Sequence, residues 1–245
     1  MRIESTTNHR VKTVRRLQRG RERSKTGRTL LEGPKLVEAA LNAGAVPVEI
    51  YTVDRGQVVD RCEFAGSEVI EVSQIVLEAI ATTVQPQDPV AVLEIPEPRP
   101  LDFERVAVLV DIADPGNLGT LIRSAAALGW QVALLGGADP WNPKVLRSAA
   151  GAHFAQSPVR ITDLMEITSL GFVTVATVVS DGRAPEEITS DTPIALLIGS
   201  ESHGLAPETV ERCDMQTTIP MSGKTESMNA AIAGSIAMYA LSVQA

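Results

Sequence analysis

The sequence predicts an α/β fold in two parts, on three observations. Short apolar segments of strand length alternate with segments of helical periodicity along the 245 residues. Hydrophobic residues make up 44% of the chain and aromatic residues only 3%, so the core must consist of Ala, Val, Leu and Ile, which suits helices packed on a parallel sheet. Three prolines within residues 96–100 favour a stiff, extended connector and mark the boundary between the parts.

The first part, residues 1–95, is predicted to be a small α/β domain because strands and helices alternate in it. Its first element is a basic helix over 8–25, in which Val11, Val14 and Leu17 form an apolar stripe at helical spacing. The elements predicted after it are a strand over 29–33, a helix over 35–43 that Gly44 ends, strands over 46–53 and 69–72, a helix that Ser73 caps and that ends near 81, and a strand over 90–95.

The second part spans residues 104–245, after a predicted linker over 96–103. It opens with a continuous apolar run at 106–110, which is typical of a strand buried on both faces. Further strands are predicted at 131–135, 173–178, 194–198 and 215–219, and helices near 117–128, 143–150, 161–169, 207–212 and 227–243. The pattern indicates a mostly parallel sheet covered on both sides.

Charge is distributed unevenly along the chain. The net charge is −8, yet residues 1–28 hold ten Lys or Arg and two Glu, so this segment carries +8 and the remainder −16. Such a basic arm can bind phosphates locally, and its candidate RNA contacts are Arg10, Lys12, Arg15, Arg16 and Arg19. The alternative is a solvated, partly frayed N-terminal helix.

Several classes of protein are disfavoured. No apolar run approaches the roughly 20 residues that span a bilayer, and residues 1–28 lack the apolar stretch of a signal peptide. An Arg-rich targeting peptide is a rival interpretation, against which Glu4 and Glu22 argue. The two cysteines and three histidines form no metal-ligand spacing, so we expect no metal and reduced thiols in a cytoplasmic protein; these residues are Cys62, Cys213, His9, His153 and His203.

Residues 111–123 follow the apolar run at 106–110, at the edge where an α/β sheet normally carries its sites. Pro115 and Gly116 make a turn, Asn117 begins the predicted helix, and Arg123 lies six residues further on. A helix N-terminus with a nearby guanidinium suits an anionic group such as a phosphate. The alternative is a capped helix that carries one surface arginine.

Residues 194–205 combine a buried strand with a loop that has a glycine at each end. Gly199 is expected to let a ligand approach the backbone closely, and Glu201 places a carboxylate at the edge of the site. The loop is neither the dinucleotide fingerprint, because position 201 is Glu, nor the nucleophile elbow of hydrolases. His203 is a candidate base, although a loop histidine beside a glycine is more often merely exposed.

Residues 218–234 show a strand that ends at a proline, a polar glycine loop and a long Ala-rich helix. Ser227 and Asn229 stand at the start of that helix, whose small residues allow close packing against other backbone. Ser227 is a candidate for the site, or alternatively a simple N-cap.

The three segments together, in this order and at strand ends, resemble the SpoU (TrmH) family of RNA ribose 2′-O-methyltransferases within the SPOUT superfamily. The first family motif, N-x-G-x-x-x-R, is matched by Asn117, Gly119 and Arg123, and the second, G-x-E-x-x-G, by Gly199, Glu201 and Gly204. The third, I-P-M-x-G-x-x-x-S-[LM]-N, is matched from Ile219 through Gly223 and Ser227 to Asn229, and residues 142–152 resemble the family's connector.

The first part resembles, more loosely, the RNA substrate-binding domain of ribosomal-protein L30e type found in the 23S rRNA and thiostrepton-resistance methyltransferases. The similarity rests on Asn8, on Val11 and Lys12 in the basic helix, and on residues 31–33 leading into a helix. This resemblance favours rRNA as the substrate.

The family resemblance implies a parallel sheet whose C-terminal segment threads a loop to form a trefoil knot, and a homodimer. It implies S-adenosyl-L-methionine as cofactor, bent in the knot and held largely by backbone groups at Gly199, Ile219 and Met228, with Ser227 also in contact. The implied reaction is attack of a ribose 2′-hydroxyl of RNA on the methyl group of a sulfonium.

The resemblance also assigns roles to side chains. In the family, the arginine at the position of Arg123 is proposed as the base, but a neutral guanidinium is costly at pH 7. We therefore expect Arg123 to bind the neighbouring phosphate and stabilise the developing alkoxide, with Asn117 and Glu201 orienting it. Ser227 and Asn229 would position the ribose and the reacting end of the cofactor, and the identity of the base stays open.

Other functions are compatible with parts of the pattern. A tRNA 2′-O-methyltransferase of the same family is one, and a knotted, catalytically idle RNA-binding protein is another, against which the intact Arg123, Glu201, Ser227 and Asn229 argue. A nucleotide-binding α/β enzyme is a third, although no Walker or dinucleotide fingerprint is present.

Overall fold

The computed structural model describes residues 2–222 and 228–243. Two compact units are present, one formed by residues up to Glu97 together with Asp139–Ala155, the other by Pro98–Ala138 and the chain from Gln156 onward. The boundary after Glu97 falls within the predicted linker. Segment 139–155 belongs to the first unit, whereas the sequence places it in the second. The physical reason is that Trp141, Leu146 and Phe154 are buried in the first unit's core.

The first unit contains a mixed four-stranded sheet in the order β1-β4-β2-β3. Strand β4 is antiparallel to both β1 and β2, and β2 is parallel to β3. The elements are α1 (His9–Arg16), α2 (Gly20–Thr26), β1 (Arg28–Glu32), α3 (Pro34–Asn42), β2 (Glu49–Thr52), α4 (Gln57–Phe64), β3 (Glu68–Glu71), α5 (Gln74–Ile80) and β4 (Val90–Glu94).

The predicted basic helix over 8–25 is instead two helices, α1 and α2. Val11, Val14 and Leu17 are buried as predicted, but the helix stops at Leu17 and restarts at Gly20. The guanidinium of Arg23 is 2% exposed and donates to the carbonyls of Leu17 (2.8 Å) and Gln18 (3.0 Å). These carbonyls lie where α1 ends, so they have no backbone N–H donor from a following helical turn. Arg23 supplies the donor in its place.

The second unit contains a six-stranded sheet in the order β10-β8-β9-β5-β6-β7, with every described pairing parallel. The predicted mostly parallel sheet with helices is confirmed. The elements from here on are β5 (Arg105–Val110), α6 (Pro115–Ala127), β6 (Gln131–Leu135), α7 (Pro143–Ser148, in the first unit), β7 (Val159–Ile161), α8 (Met165–Thr168), β8 (Val173–Thr177), β9 (Ile194–Ile198), α9 (Pro207–Glu211), β10 (Met215–Thr217) and α10 (Ala230–Ser242).

Two elements were not predicted from the sequence. Helix α4 buries only Val59 and Cys62, so its apolar periodicity is weak. Strand β7 has three residues, too few to show an alternation. Neither contributes a residue to the candidate site described below.

Helix α10 packs closely against α6 and β9. Gly234 makes this possible, since a methyl group there would lie 2.7 Å from both Ile198 Cδ1 and Leu121 Cδ2. Hydroxyl Oγ of Ser235 donates to Ser124 Oγ across the same contact, at 2.8 Å. The packing places the first residues of α10 beside the first turn of α6. Over the ranges 2–222 and 228–243, no helix has the length and apolar character to cross a membrane.

Candidate active site

The loop between β5 and α6 presents Asn117 at the carboxyl edge of the parallel sheet. Asp114 caps the helix, because its Oδ1 accepts from the Asn117 backbone N–H at 2.9 Å. Helix α6 therefore begins at Pro115, not at Asn117 as predicted. Asn117 lies in the first turn, and its side chain remains available for other contacts.

Three residues from the three predicted segments are joined by side-chain hydrogen bonds. The Asn117 amide Nδ2 donates to the Glu201 carboxylate in a short contact, and Asn229 Nδ2 donates to Asn117 Oδ1 at 3.1 Å. The partners are 84 and 112 residues from Asn117 in the chain. We call Asn117, Glu201 and Asn229 the edge cluster.

The chemistry of the edge cluster is internally consistent. Asn229 Oδ1 accepts from the backbone N–H groups of Ala231 (3.0 Å) and Ile232 (3.2 Å), so its Nδ2 faces Asn117. Asn117 must then accept from Asn229 and donate to Glu201, whose carboxylate can only accept. Asn229 is thus the N-cap of α10. Ser227, the alternative cap in the prediction, lies outside the described residues together with Gly223.

The loop after β9 requires glycine at position 199 because of its own backbone. A methyl group on Gly199 would overlap the backbone of Gly204 and Leu205. The Gly204 N–H donates to the Ser200 carbonyl at 2.9 Å, and Gly204 has a φ of +64°. The fold of the loop itself therefore requires glycine at this position, and close approach of a ligand to the Gly199 backbone stays a prediction.

The loop after β8 is bound to β10. Arg183 donates its N–H to the Gln216 carbonyl at 3.1 Å, and its own carbonyl accepts from Thr218 N–H (2.9 Å) and Thr217 Oγ1 (3.0 Å). Gly182 crosses so closely that a methyl group there would lie 2.6 Å from the Thr217 carbonyl carbon. These contacts hold the loop after β8 against the end of β10.

The loops after β8, β9 and β10 and the start of α10 enclose a cavity of about 250 Å³. Gly199, Ile219 and Met228, which the family resemblance assigns to the cofactor, all line it. Glu201 lines it too. Among the described lining residues, it is the one that carries a carboxylate. The other lining residues are Thr177, Val178, Val179, Ile198, Ser200, His203, Gly204, Leu205, Val210, Thr217, Met221, Ala230, Ala233 and Gly234. The cavity therefore offers apolar walls, backbone polar groups and one negative side chain.

Arg123 and His203 do not join the edge cluster. Arg123 is exposed on α6, and no hydrogen bond or ion pair of its guanidinium occurs among residues 2–222 and 228–243. His203 is exposed, with its Nδ1 at 2.7 Å from Ser202 Oγ. The structure thus brings together Asn117, Glu201 and Asn229 and leaves the Arg123 guanidinium available for a ligand.

The basic residues predicted to contact RNA fall into two groups. Arg10 is paired with Glu68 and lies 3.6 Å from Glu49, and its hydrogen bond to Glu68 is the main reason that its pKa is raised. The other predicted contacts are exposed and form no ion pair in the described part of the chain; they are Lys12, Arg15, Arg16 and Arg19. Arg10 is therefore compensated by neighbouring carboxylates, whereas these four are not.

A polar cluster in the first unit was missed by the sequence prediction. Glu32, 4% exposed at the end of β1, accepts hydrogen bonds from Thr82 and Thr83 and lies 3.4 Å from Arg147 Nη1. The signal in the sequence that could have indicated this cluster is a carboxylate at the end of an apolar strand. Its partners could not be identified from the sequence, because they lie 50 to 115 residues away. We call Glu32, Thr82, Thr83 and Arg147 the buried cluster. As for metals, the described residues contain no group of three or more His, Cys, Asp or Glu placed to hold an ion.

Comparison with known proteins identifies close relatives over the whole chain. Residues 104–239 match the SpoU rRNA methylase family, and residues 8–91 match the MRM3-like substrate binding domain. The chain is 34% identical over 244 residues to the 23S rRNA (guanosine(2553)-2′-O)-methyltransferase RlmP of Bacillus subtilis, covering 98% of each protein.

Two solved structures share the fold. The AdoMet-bound rRNA methyltransferase from Sinorhizobium meliloti is similar with a TM-score of 0.88 and 30% identity, covering 100% of this chain and 98% of that one. The SpoU methyltransferase AviRb from Streptomyces viridochromogenes, solved in complex with AdoMet, has a TM-score of 0.85 and 27% identity, covering 97% and 98%.

Proposed function

Because the chain belongs to the SpoU rRNA methylase family, we propose that it methylates a ribose 2′-hydroxyl of RNA with S-adenosylmethionine, and that its substrate is 23S rRNA. The observation that carries the proposal is the edge cluster, which joins one residue of each family motif beside an apolar cavity. The relative from Bacillus subtilis is named for this reaction on this RNA.

The cavity beside Gly199 is the proposed cofactor site. Its apolar walls suit a heterocyclic base, and the backbone groups of Gly199, Ile219 and Met228 suit the base's polar edge. When bound, S-adenosylmethionine supplies an electrophilic methyl group on a positively charged sulfur. The Glu201 carboxylate at the edge of the cavity favours that positive charge, and Ser227 is assigned to the same site by the family motif.

The residues of the chain act on the nucleophile. The edge cluster holds the start of α6, the loop after β9 and the start of α10 in one arrangement, so that Asn229, with Ser227, positions the ribose. Arg123 has no carboxylate partner in the described chain, so its positive charge can bind the phosphate and stabilise the alkoxide that develops on the ribose oxygen. We assign Arg123 this role rather than that of base, because a neutral guanidinium is costly at pH 7.

The first unit is the proposed RNA-binding domain. The uncompensated cations of α1 and the segment after it, Lys12, Arg15, Arg16 and Arg19, are the proposed phosphate contacts. We propose a cytoplasmic location, where the 23S rRNA of bacteria is found.

We further propose a homodimer and a trefoil knot. An exposed apolar row at helical spacing on α10 and its C-cap residue supports the dimer, since Ile232, Ile236, Tyr239 and the C-cap Val243 are 40% to 61% exposed. The contacts of Gly182 and Arg183 with β10 support a C-terminal segment that threads the loop after β8. Sedimentation equilibrium tests the dimer: the wild-type chain should sediment at twice the chain mass and Tyr239→Glu closer to a monomer, and a monomeric wild type would contradict it.

The activity is tested with methyl-labelled S-adenosylmethionine and three unmodified transcripts: 23S rRNA, 16S rRNA and a tRNA pool. We expect label in 23S rRNA, at a linkage that resists alkaline hydrolysis because the 2′-oxygen is methylated. Label confined to tRNA would overturn the assignment of the substrate. An absence of alkali-resistant label in all three pools would overturn the enzymatic proposal.

A further inference from the structure

A second cavity lies in the first unit, at the end of β1. Its volume is about 270 Å³, and it is lined by the start of α3, the loop after α5 and the end of α7. The lining residues are Glu32, Lys35, Leu36, Thr83, Gln85, Gln87, Arg147 and Ala150. Nothing in the proposed methyl transfer uses these residues.

Three residues of the buried cluster, Glu32, Thr83 and Arg147, line this cavity. Glu32 accepts from the Thr82 backbone N–H (2.9 Å), from Thr82 Oγ1 (2.7 Å) and from Thr83 Oγ1. Burial by itself would raise the pKa of Glu32, but the hydrogen bonds from the two threonines and the charge of Arg147 hold it below its ordinary value. Glu32 is therefore ionised, and its negative charge offsets the positive charge of Arg147 at 3.4 Å.

The loop over 82–88 is held at both ends and exposed in its middle. Thr83 Oγ1, which donates to Glu32, also lies 3.0 Å from the Gln85 carbonyl oxygen. At the other end, Asp88 accepts from Thr52 Oγ1 (3.0 Å). Between these points Val84 is 100% exposed, and Gln85 and Gln87 are exposed. A loop that is fixed in place while its central side chains remain uncovered is suited to contact with a partner.

The charged groups that face the cavity define the ligand. Arg147 donates through Nη1 to Thr82 Oγ1 and Glu32, and its Nε and Nη2 form no hydrogen bond with any described residue. Lys35 is exposed at the start of α3. The uncompensated charge of Lys35 and the remaining N–H donors of Arg147 suit a phosphate. The amide groups of Gln85 and Gln87 can each donate to and accept from the edge of a base.

We propose that this cavity binds one unpaired nucleotide of the RNA substrate, with its phosphate against Arg147 and Lys35 and its base edge against Gln85 and Gln87. The proposal rests on the proposed function for the identity of the RNA. The exposed cations of the basic arm are proposed to contact phosphates only. The cavity would add a contact with the edge of a base. Unpaired nucleotides are the usual targets of sequence-dependent RNA recognition by proteins.

The test is a filter-binding titration of the full chain against an unmodified 23S rRNA transcript at several salt concentrations. The variants are Lys35→Ala and the double variant Gln85→Ala with Gln87→Ala, all at exposed positions, so that the buried cluster stays intact. Lys144→Ala, an exposed lysine of α7 that does not line the cavity, and Gln57→Ala on α4 are the matched controls. Calorimetric binding of S-adenosylmethionine by each variant reports the integrity of the second unit.

We expect each cavity variant to weaken RNA binding about tenfold while cofactor affinity is unchanged. Lys35→Ala should also lower the slope of log affinity against log salt by about one, which the glutamine variant should not do. Wild-type affinity in both cavity variants would overturn the proposal, even if methyl transfer to RNA is observed. Weakened binding in these variants without methyl transfer by the wild type would support the cavity and overturn the proposed function instead.

Discussion

The buried cluster of the first unit and the edge cluster of the second each contain one carboxylate, in opposite surroundings. Each has one carboxylate that accepts hydrogen bonds from residues distant in the chain: Glu32 in the first, Glu201 in the second. Glu32 is 4% exposed and accepts three hydrogen bonds from Thr82 and Thr83. Glu201 is exposed and, among the described residues, accepts one side-chain hydrogen bond, from Asn117.

This difference separates the two purposes of a hydrogen-bonded cluster. Loss of a buried partner leaves other polar groups without water, so the cost appears in the free energy of unfolding. Loss of an exposed partner is largely compensated by water, so its cost appears only where geometry matters, in the chemical step. The first cluster should therefore respond to mutation in stability and the second in activity.

Glu32→Ala should have the largest effect on stability. The change leaves Arg147 and the donors of Thr82 and Thr83 without their acceptor, and we expect the free energy of unfolding to fall by about 4 kcal/mol. Urea denaturation measures it. Glu38→Ala is the matched control, because Glu38 is exposed and paired with Arg61 at 2.8 Å, and its loss should cost less than about 1 kcal/mol. Equal costs at the two positions would contradict the distinction.

His153 extends the comparison to pH. This side chain is fully buried in the first unit with Nε2 at 2.8 Å from the Pro140 carbonyl, and burial lowers its pKa from 6.5 to about 4. Between these values the unfolded chain binds a proton that the folded chain does not. The associated stability is therefore full above pH 6.5 and is lost as pH falls toward 4, by about 3 kcal/mol.

His153→Gln should remove this part of the pH dependence, whereas the same change at the exposed His9 should leave it in place. Urea denaturation at intervals between pH 4 and 7 provides the measurement. A slope that is the same in the wild type and in His153→Gln would show that His153 does not remain neutral in the folded protein.

Asn117→Ala tests the edge cluster. Loss of the amide separates the start of α6 from Glu201 and Asn229, and we expect kcat to fall about 100-fold because the site loses its alignment. The free energy of unfolding should change by less than about 1 kcal/mol, since the side chain is near water. Asn42→Ala is the control, an exposed asparagine that accepts from Arg61 at 2.8 Å and should retain full activity. A large loss of stability without a loss of kcat in Asn117→Ala would reverse the assignment.

Asn229 links the two kinds of effect in one side chain, because its Oδ1 caps α10 and its Nδ2 contacts Asn117. Asn229→Ala should lower the free energy of unfolding by about 1 kcal/mol through loss of the cap, and also lower kcat. Asn229→Ser should restore the stability but not kcat, because serine can cap the helix but lacks the amide. Recovery of both by serine would show that Asn229 serves only as a cap.

The sequence predicted the edge cluster better than the buried cluster, for a physical reason. Glycine, a helix cap and a carboxylate that follow strands of a parallel sheet must come to one edge, and motif order then selects Asn117, Glu201 and Asn229. The pairing of Glu32 with Arg147 has no comparable local signal. It depends on segment 139–155 packing with the first unit, which the apolar pattern of the chain does not specify.

Local sequence patterns were likewise sufficient to predict the bounds of the long strands. They were insufficient where tertiary contacts determine where an element begins or ends. Strands β6 and β9 agree with the predicted bounds because β9 is buried throughout and β6 is buried in all but its last residue. The break between α1 and α2 depends on the buried guanidinium of Arg23, a residue whose charge argues for exposure when only the sequence is considered.

The smallest effect is expected for single cations of the basic arm, residues 1–28. There, a cation that is paired with a carboxylate can be compared with one that is not. Arg10 is paired with Glu68, whereas Arg15 is exposed and has no ion pair among the described residues. Arg15→Ala should weaken binding to a 23S rRNA transcript about threefold and lower the slope of log affinity against log salt by about one, because one phosphate contact is lost. Arg10→Ala should change the affinity by less than about twofold and leave the slope unaltered, because its guanidinium is already satisfied within the protein. A filter-binding salt titration measures both, and an equal loss of slope in the two variants would mean that Arg10 exchanges its carboxylate partners for RNA phosphate on binding.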